Sequence, residues 1–382
     1  MIGKKLLLRV IGFSLRFLQF PISYLNGCCK TIWIFGSRGG RSFDENSKYL
    51  FKYISENHKG IRPIWISFDN EIICFLRKNG YEAYHSLSIN GLFYIFLAHV
   101  SFVSVSSSDI TPFKFLLHNK LNVQLWHGTP LRENNLSDLN NKYDVVCVSS
   151  VDFLTEQSLG CRVKFNFILT GYPRNDFIVK SIGNRKVTKE TTILYMPTHR
   201  QRLSKLGIAE PVEFDLFDYG FDFQSFSKTL ERYNVKFYLK LHPLQSLPLN
   251  LVLDLKKSNN IILIENNKFT DVYEMISQSD ILVTDYSSVL FDYLLLDKPI
   301  FFTPFDLDEQ IGVRKLRFKY EELVCGPVSY NWGEFNVQLV DYFTNGDCNN
   351  KKREIVRDRF NYFKDSKSSE RIFNLIYKSV YS

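Results

Sequence analysis

Leu121-Asn-Val-Gln-Leu-Trp126-His127-Gly128-Thr129-Pro130-Leu131-Arg132 and Val235-Lys-Phe-Tyr-Leu-Lys-Leu241-His242-Pro243 share one grammar: an apolar or alternating run that stops on a histidine at a turn. The second places Val235, Phe237, Leu239 and Leu241 on one face and Lys236, Tyr238 and Lys240 on the other. That period of two belongs to a β-strand. Similar runs recur outward from these two. A first series comprises Thr31–Gly36, Pro63–Ser67, Val100–Ser106, Val123–Trp126, Val145–Ser149 and Asn166–Thr170. A second comprises Thr192–Met196, Val235–Leu241, Ile261–Ile264, Ile281–Thr284 and Pro299–Thr303.

Amphipathic stretches such as Asn46–Glu56 and Asn90–Ala98 separate the runs. Apolar strands alternating with helical segments predict parallel sheets covered on both faces. Val179–Glu190 is polar and basic and reads as a linker. Residues 29–180 and 190–382 are therefore expected to form two Rossmann-like α/β domains facing a central cleft, the second ending in amphipathic helices over about 354–381. Ligands of such sheets bind beyond the carboxyl ends of the strands.

The chain has 382 residues, 45% of them hydrophobic and 15% aromatic, which excludes disorder and allows a large core. No apolar run of about 20 residues is free of charge, so a polytopic membrane protein is excluded as well. Of 48 Lys and Arg, seven (Lys4, Lys5, Arg9, Arg16, Lys30, Arg38, Arg41) precede the first acidic residue, Asp44. The remainder carries 41 basic against 40 acidic groups, so the net +8 belongs to the N-terminus. A nucleic-acid-binding body would spread its excess over a face, and none is expected here.

Residues 1–28 are read as a basic amphipathic helix. Lys5, Arg9 and Arg16 fall within about 40° on a helical wheel, while Leu6, Val10, Phe13 and Phe17 share another face. Such a helix lies on an anionic membrane surface or docks on its own protein. Arg9 and Arg16 interrupt the apolar run and Pro21 closes it, unlike a signal peptide. The seven cysteines (28, 29, 74, 147, 161, 325, 348) include no C-x-x-C pair and are expected to be reduced thiols, without structural zinc.

His127 sits at a strand's carboxyl end with a glycine after it and a proline suited to opening a helix, as a general base for a hydroxyl would, or as an ordinary turn histidine. His242 repeats the placement in the second half. Thr284-Asp285-Tyr286-Ser287-Ser288 joins a strand to a helix start, where amides and hydroxyls receive anions such as a nucleotide diphosphate. Asp292, within an otherwise apolar helix turn, needs a partner or a ligand. Arg174 and Arg200 each leave a strand, suited to phosphate or simply to the surface. Gly39 and Gly40, with Asn46 nearby, suggest the wall of an acceptor channel. Asp306-Leu-Asp308 has the form of a metal pair but lacks a third ligand in its neighbourhood, so no metal ligands are assigned.

At these motifs the sequence resembles the CDP-glycerol glycerophosphotransferase family, the primases and polymerases of wall teichoic acid and their capsule relatives. The matching stretches are Trp33-Ile-Phe-Gly-Ser with Asn46-Ser-Lys-Tyr-Leu-Phe, Trp126-His-Gly-Thr-Pro-Leu-Arg, Thr170-Gly-Tyr-Pro-Arg-Asn-Asp, Tyr195-Met-Pro-Thr, Leu239-Lys-Leu-His-Pro, and Thr284-Asp-Tyr-Ser-Ser with Phe291-Asp-Tyr and Lys298-Pro. The resemblance covers about residues 30 to 325. It implies a GT-B fold and a peripheral enzyme on the cytoplasmic face of the membrane. It implies His127 as general base, His242 on the donor phosphates, and Thr284, Asp285, Ser287 and Ser288 as the pyrophosphate turn.

The chain also departs from the family pattern. His199 replaces a tryptophan before Arg200, Gln310 a tyrosine, Arg314-Lys315 an Arg-Gly pair and Cys325 a proline. The expected activity is transfer of a polyol phosphate, glycerol phosphate foremost, from a CDP-linked donor to a lipid-linked glycan or growing polymer. Mg²⁺ held mainly by the diphosphate is compatible with this. A nucleotide-sugar glycosyltransferase and a non-catalytic, membrane-associated binding protein are the alternatives.

Overall fold

Trp33 and Phe35 pack into one apolar cluster and Ile32 and Ile34 into another, so the first strand is covered on both faces, as a parallel sheet requires. The computed structural model describes residues 29–132, 143–154, 166–184, 189–203, 209–211, 217–242, 245, 247–265, 271–313 and 315–382. The expected amphipathic helix of residues 1–28 lies outside them.

The chain divides into two compact units. The first contains a seven-stranded sheet: β1 (Ile32–Gly36), β2 (Arg62–Ser67), β3 (Ala83–His85), β4 (Val100–Val103), β5 (Leu121–Gln124), β6 (Val145–Val148) and β7 (Phe167–Leu169). Its order is β3-β2-β1-β4-β5-β6-β7 and every pairing is parallel, with Trp33 opposite Pro63 on one side and Val100 on the other. The order reverses between β1 and β4, where such sheets open a crevice. Helices α1 (Glu45–Asn57), α2 (Asn70–Lys78) and α3 (Ile89–Leu97) belong to the crossovers, and α4 (Pro173–Ser181) follows β7. β3 is Ala83-Tyr84-His85, which makes no apolar run that the sequence could show.

The second unit repeats the plan with β8 (Thr191–Met196), β11 (Val235–Leu239), β12 (Ile261–Leu263), β13 (Ile281–Thr284) and β14 (Ile300–Phe302). The order is β12-β11-β8-β13-β14, all parallel, reversing between β8 and β13. An antiparallel hairpin, β9 (Gln201–Leu203) with β10 (Ala209–Pro211), adds to it. Helices α5 (Phe223–Arg232), α6 (Leu249–Leu255), α7 (Val272–Gln278), α8 (Val289–Tyr293), α9 (Leu307–Val313), α10 (Trp332–Asn345) and α11 (Asn350–Phe360) accompany it. Its core is aromatic: Trp332 meets Phe226, Phe335 and Tyr195 at ring-centroid distances of 5.8, 5.5 and 5.5 Å.

Two segments cross the expected boundaries. Gly128–Asn135 counts with the second unit, and Asp365–Ser382 with the first. The last helix, α12 (Ser368–Tyr381), buries Ile372, Phe373, Ile376 and Val380 against Trp33 and its neighbours on the first sheet. Asp176 accepts the amides of Ser368 and Ser369 at 2.7 Å each, fixing the helix start. This helix was expected within a domain over 190–382; its apolar stripe packs on a sheet far from it in sequence.

Candidate active site

In the first unit the site is built on a strained turn. Past β5 the backbone enters the left-handed region at Trp126 (φ 59°), a conformation that a residue with a Cβ adopts only when its surroundings enforce it. Gly128 follows with φ 142°. The enforcing groups are identifiable. Asn46 Nδ2 donates to the carbonyls of Leu125 and Trp126 at 3.0 and 2.8 Å, and Arg174 Nη1 donates to that of His127 at 2.7 Å. His127, between them, is exposed. Its Nδ1 lies 3.4 Å from the Ser104 carbonyl, which favours the tautomer protonated at Nδ1 and leaves the Nε2 lone pair available.

Beneath the turn Glu45 is buried between two guanidiniums. Arg174 reaches it at 2.6 Å, and Arg38 pairs with it and with Asp44. Burial alone would raise the Glu45 carboxyl; Arg38, Arg174 and His127 hold it at about 2. Surrounding protein lowers the His127 pKa below the ordinary histidine value, with Glu45 opposing and both arginines assisting. The imidazole is thus neutral at physiological pH and competent as a base.

Gly39 and Gly40 form a tight loop after β1. The Gly39 amide donates to Asp109 at 2.7 Å, and at Gly40 (φ 70°) a Cβ would come within 2.5 Å of the Phe68 ring. Asp109 also accepts the amides of Ser104 and Val105, tying this loop to the end of β4. Of the sequence candidates, Asn46 and Arg174 are therefore buried struts of the His127 turn, and neither presents its polar end to solvent. Glu45 and Asp109 were missed. The signal for Glu45 was an acidic pair, Asp44-Glu45, a few residues after the Gly39-Gly40 loop. Pro130 opens no helix within the described residues; Arg132 instead forms a bridge with Leu316, and Arg317 donates to its carbonyl at 3.1 Å.

In the second unit Arg200 is the centre. It is buried, and its guanidinium binds Asp306 in a fork at 3.0 and 3.1 Å, pairs with Asp285 and donates to the Thr198 carbonyl at 2.6 Å. Burial disfavours its charge, and the two carboxylates restore it. Asp285 also accepts the amide and hydroxyl of Thr198 and the amide of Tyr286. Thr284 is buried and gives its hydroxyl to the Met196 carbonyl at 2.9 Å. Arg200, Asp285 and Thr284 are thus internal links between β8 and β13.

Ser287 and Ser288 are half-buried, and Ser288 precedes α8 without capping it by its side chain. Asp292 is buried on that helix. Asp306 is spent on Arg200 and Tyr286. The Tyr286 ring lies under the guanidiniums of Arg132, at 4.9 Å, and Arg200, at 5.3 Å. Arg132 stands beside the serine turn and was missed because it is distant in sequence. His242 is exposed at the end of β11, and its ring stacks on that of His199. Among the described residues no cluster of three His, Cys, Asp or Glu is placed to hold a metal, and no helix is long and apolar enough to cross a membrane.

A teichoic acid poly(glycerol phosphate) polymerase of Staphylococcus epidermidis is 26% identical over 387 residues, 92% of this chain and 51% of that protein. The teichoic acid ribitol-phosphate polymerase TarL of Staphylococcus aureus is 27% identical over 259 residues, 64% of this chain and 43% of that protein. The chain spans about half the length of these two relatives. A solved structure of the wall teichoic acid polymerase TagF superimposes with a TM-score of 0.73 at 23% identity, covering 99% of this chain and 97% of that one, so the GT-B-like α/β fold is shared. The profile of the CDP-glycerol:poly(glycerophosphate) glycerophosphotransferases matches residues 21–378, and the chain belongs to that family.

Proposed function

We propose that this protein transfers a polyol phosphate, glycerol phosphate foremost, from a CDP-linked donor to a hydroxyl of a lipid-linked glycan or growing teichoic-acid polymer, releasing CMP. Polyol phosphate polymerases among the relatives, and a TagF structure soaked with CDPG, support the donor class. The ribitol-phosphate relative keeps CDP-ribitol as the second candidate. The observation that carries the reading is the His127 turn: a neutral, exposed imidazole on a backbone held out of its preferred conformation by Asn46 and Arg174.

In the proposed step, His127 Nε2 accepts the proton of the acceptor hydroxyl as its oxygen bonds to the phosphorus that bears the polyol. The bond from that phosphorus to the bridging oxygen breaks, and CMP leaves with the oxygen. The second pKa of the leaving phosphate is about 6, so little acid assistance is needed. Catalysis is then alignment and charge neutralisation. His242, Ser287, Ser288 and Arg132 of the second unit are assigned to the donor phosphates; Arg200, Asp285 and Thr284 support them. A basic residue 1–28 segment on the cytoplasmic face of the membrane would bring the enzyme to an amphiphilic acceptor.

The test is His127→Ala. Transfer from CDP-glycerol should fall by about 10²- to 10⁴-fold, while calorimetric affinity for CDP-glycerol stays unchanged. Retained transfer would remove His127 as the base. Tighter binding of UDP-N-acetylglucosamine than of either CDP-alcohol would replace the reaction by glycosyl transfer.

A further inference from the structure

His199 and His242 are joined through Gln245. Thr198, on one side of His199, gives its amide and hydroxyl to Asp285. Arg200, on the other side, gives its amide to Gln245 Oε1 at 2.8 Å. The Gln245 amide in turn closes on the His242 carbonyl at 2.8 Å. The two backbones are therefore fixed with respect to each other, and the rings they carry stack with centroids 5.2 Å apart and planes 22° from parallel. That is an offset aromatic stack.

The members of the pair differ. His242 is exposed, whereas His199 is half-buried and its Nε2 is shielded from solvent without a hydrogen-bond partner among the described residues. A ring placed for its polar atoms would not leave one unsatisfied, because that loss is unfavourable. His199 acts here through its face. Burial and the neighbouring Arg200 lower its pKa below the ordinary histidine value. A neutral ring can lie against His242 whether or not His242 is protonated.

We propose that His199 is a positioning residue for donor binding: its ring is the wall that holds the His242 imidazole edge-on to the diphosphate of the CDP-linked donor. The proposal rests on the donor assignment above and adds a residue to it.

The experiment compares the full-length protein with His199→Ala, His199→Phe and His199→Trp, using calorimetric binding of CDP-glycerol and the imidazole NMR resonances. His199→Ala should weaken CDP-glycerol by about three- to tenfold, the scale of one stacked aromatic pair. The Phe and Trp variants should bind within about twofold of the parent. The His242 Hε1 resonance, assigned by its absence in His242→Gln, should move downfield in His199→Ala and return upfield in His199→Trp. Binding indifferent to residue 199, or a Trp variant as weak as the Ala variant, would overturn this proposal while leaving the donor assignment intact. A parent protein that binds neither CDP-glycerol nor CDP-ribitol would overturn the donor assignment and this proposal together, with the resonance shifts still reporting whether the rings stack.

Discussion

Each unit sets a buried ion cluster under its strand ends, and the two clusters have their charges exchanged. In the first, one carboxylate, Glu45, lies between Arg38 and Arg174. In the second, one guanidinium, Arg200, lies between Asp285 and Asp306. The difference is chemical. The protein packed around His127 lowers its pKa, and the two guanidiniums assist against the opposing Glu45, which keeps a base neutral. Two carboxylates near the serine turn favour an added cation, and Arg132 lies against Tyr286 there. Glu45, Arg174, Arg200, Asp285 and Asp306 are internal supports, Arg38 reaches solvent, and the His127 and His242 imidazoles are exposed.

The largest effect is expected where the exchange is most severe. Arg200→Leu leaves two buried carboxylates without their shared cation, and breaking a buried pair in this way costs about 3–5 kcal/mol. Denaturant unfolding should register that loss. A change below about 1 kcal/mol would mean that Asp285 and Asp306 do not depend on Arg200, and the comparison of the two clusters would fail.

Glu45→Gln probes the other cluster and should be milder, because Arg38 reaches solvent and can be hydrated. The Glu45 carboxyl is at about 2 in the folded protein against an ordinary 4.5. A carboxyl lowered on folding stabilises above its unfolded pKa and loses that contribution as pH falls through the folded one. The contribution is about 3 kcal/mol, present above about pH 4.5 and disappearing toward pH 2. Glu45→Gln should remove this part of the acid dependence, flattening stability between those limits. An unchanged acid profile would show that Glu45 is not held by its arginines.

How much of this was legible in the sequence depended on distance along the chain. Every strand of the two parallel sheets except β3 could be read, because apolar periodicity is local. The two strand-end histidines were legible for the same reason. The roles of Arg174 and Arg200 were not: an arginine leaving a strand looks alike whether it meets a phosphate or a carboxylate. Here the carboxylates come from Glu45, 129 positions from Arg174, and Asp306, 106 positions from Arg200. The docking of α12 on the first sheet likewise depends on partners that no window contains.

The smallest effect on stability is expected at Ser288, and there the comparison becomes sharpest. A serine before a helix commonly caps it, and replacing such a cap by alanine costs about 1 kcal/mol. Ser288 does not do so: its own backbone is helical (φ −68°, ψ −11°), its side chain makes no capping bond, and the helix it precedes has five residues. Ser288→Ala should therefore leave the unfolding midpoint within about 0.5 kcal/mol of the parent. If its hydroxyl instead meets the donor diphosphate, CDP-glycerol affinity should fall by roughly three- to tenfold, the worth of one hydrogen bond to a charged group. Loss of stability with affinity intact would make Ser288 another internal support, like Thr284 four positions earlier. Loss of affinity with stability intact would place the boundary between supporting and ligand-facing residues between Asp285 and Ser288, within a single turn of chain.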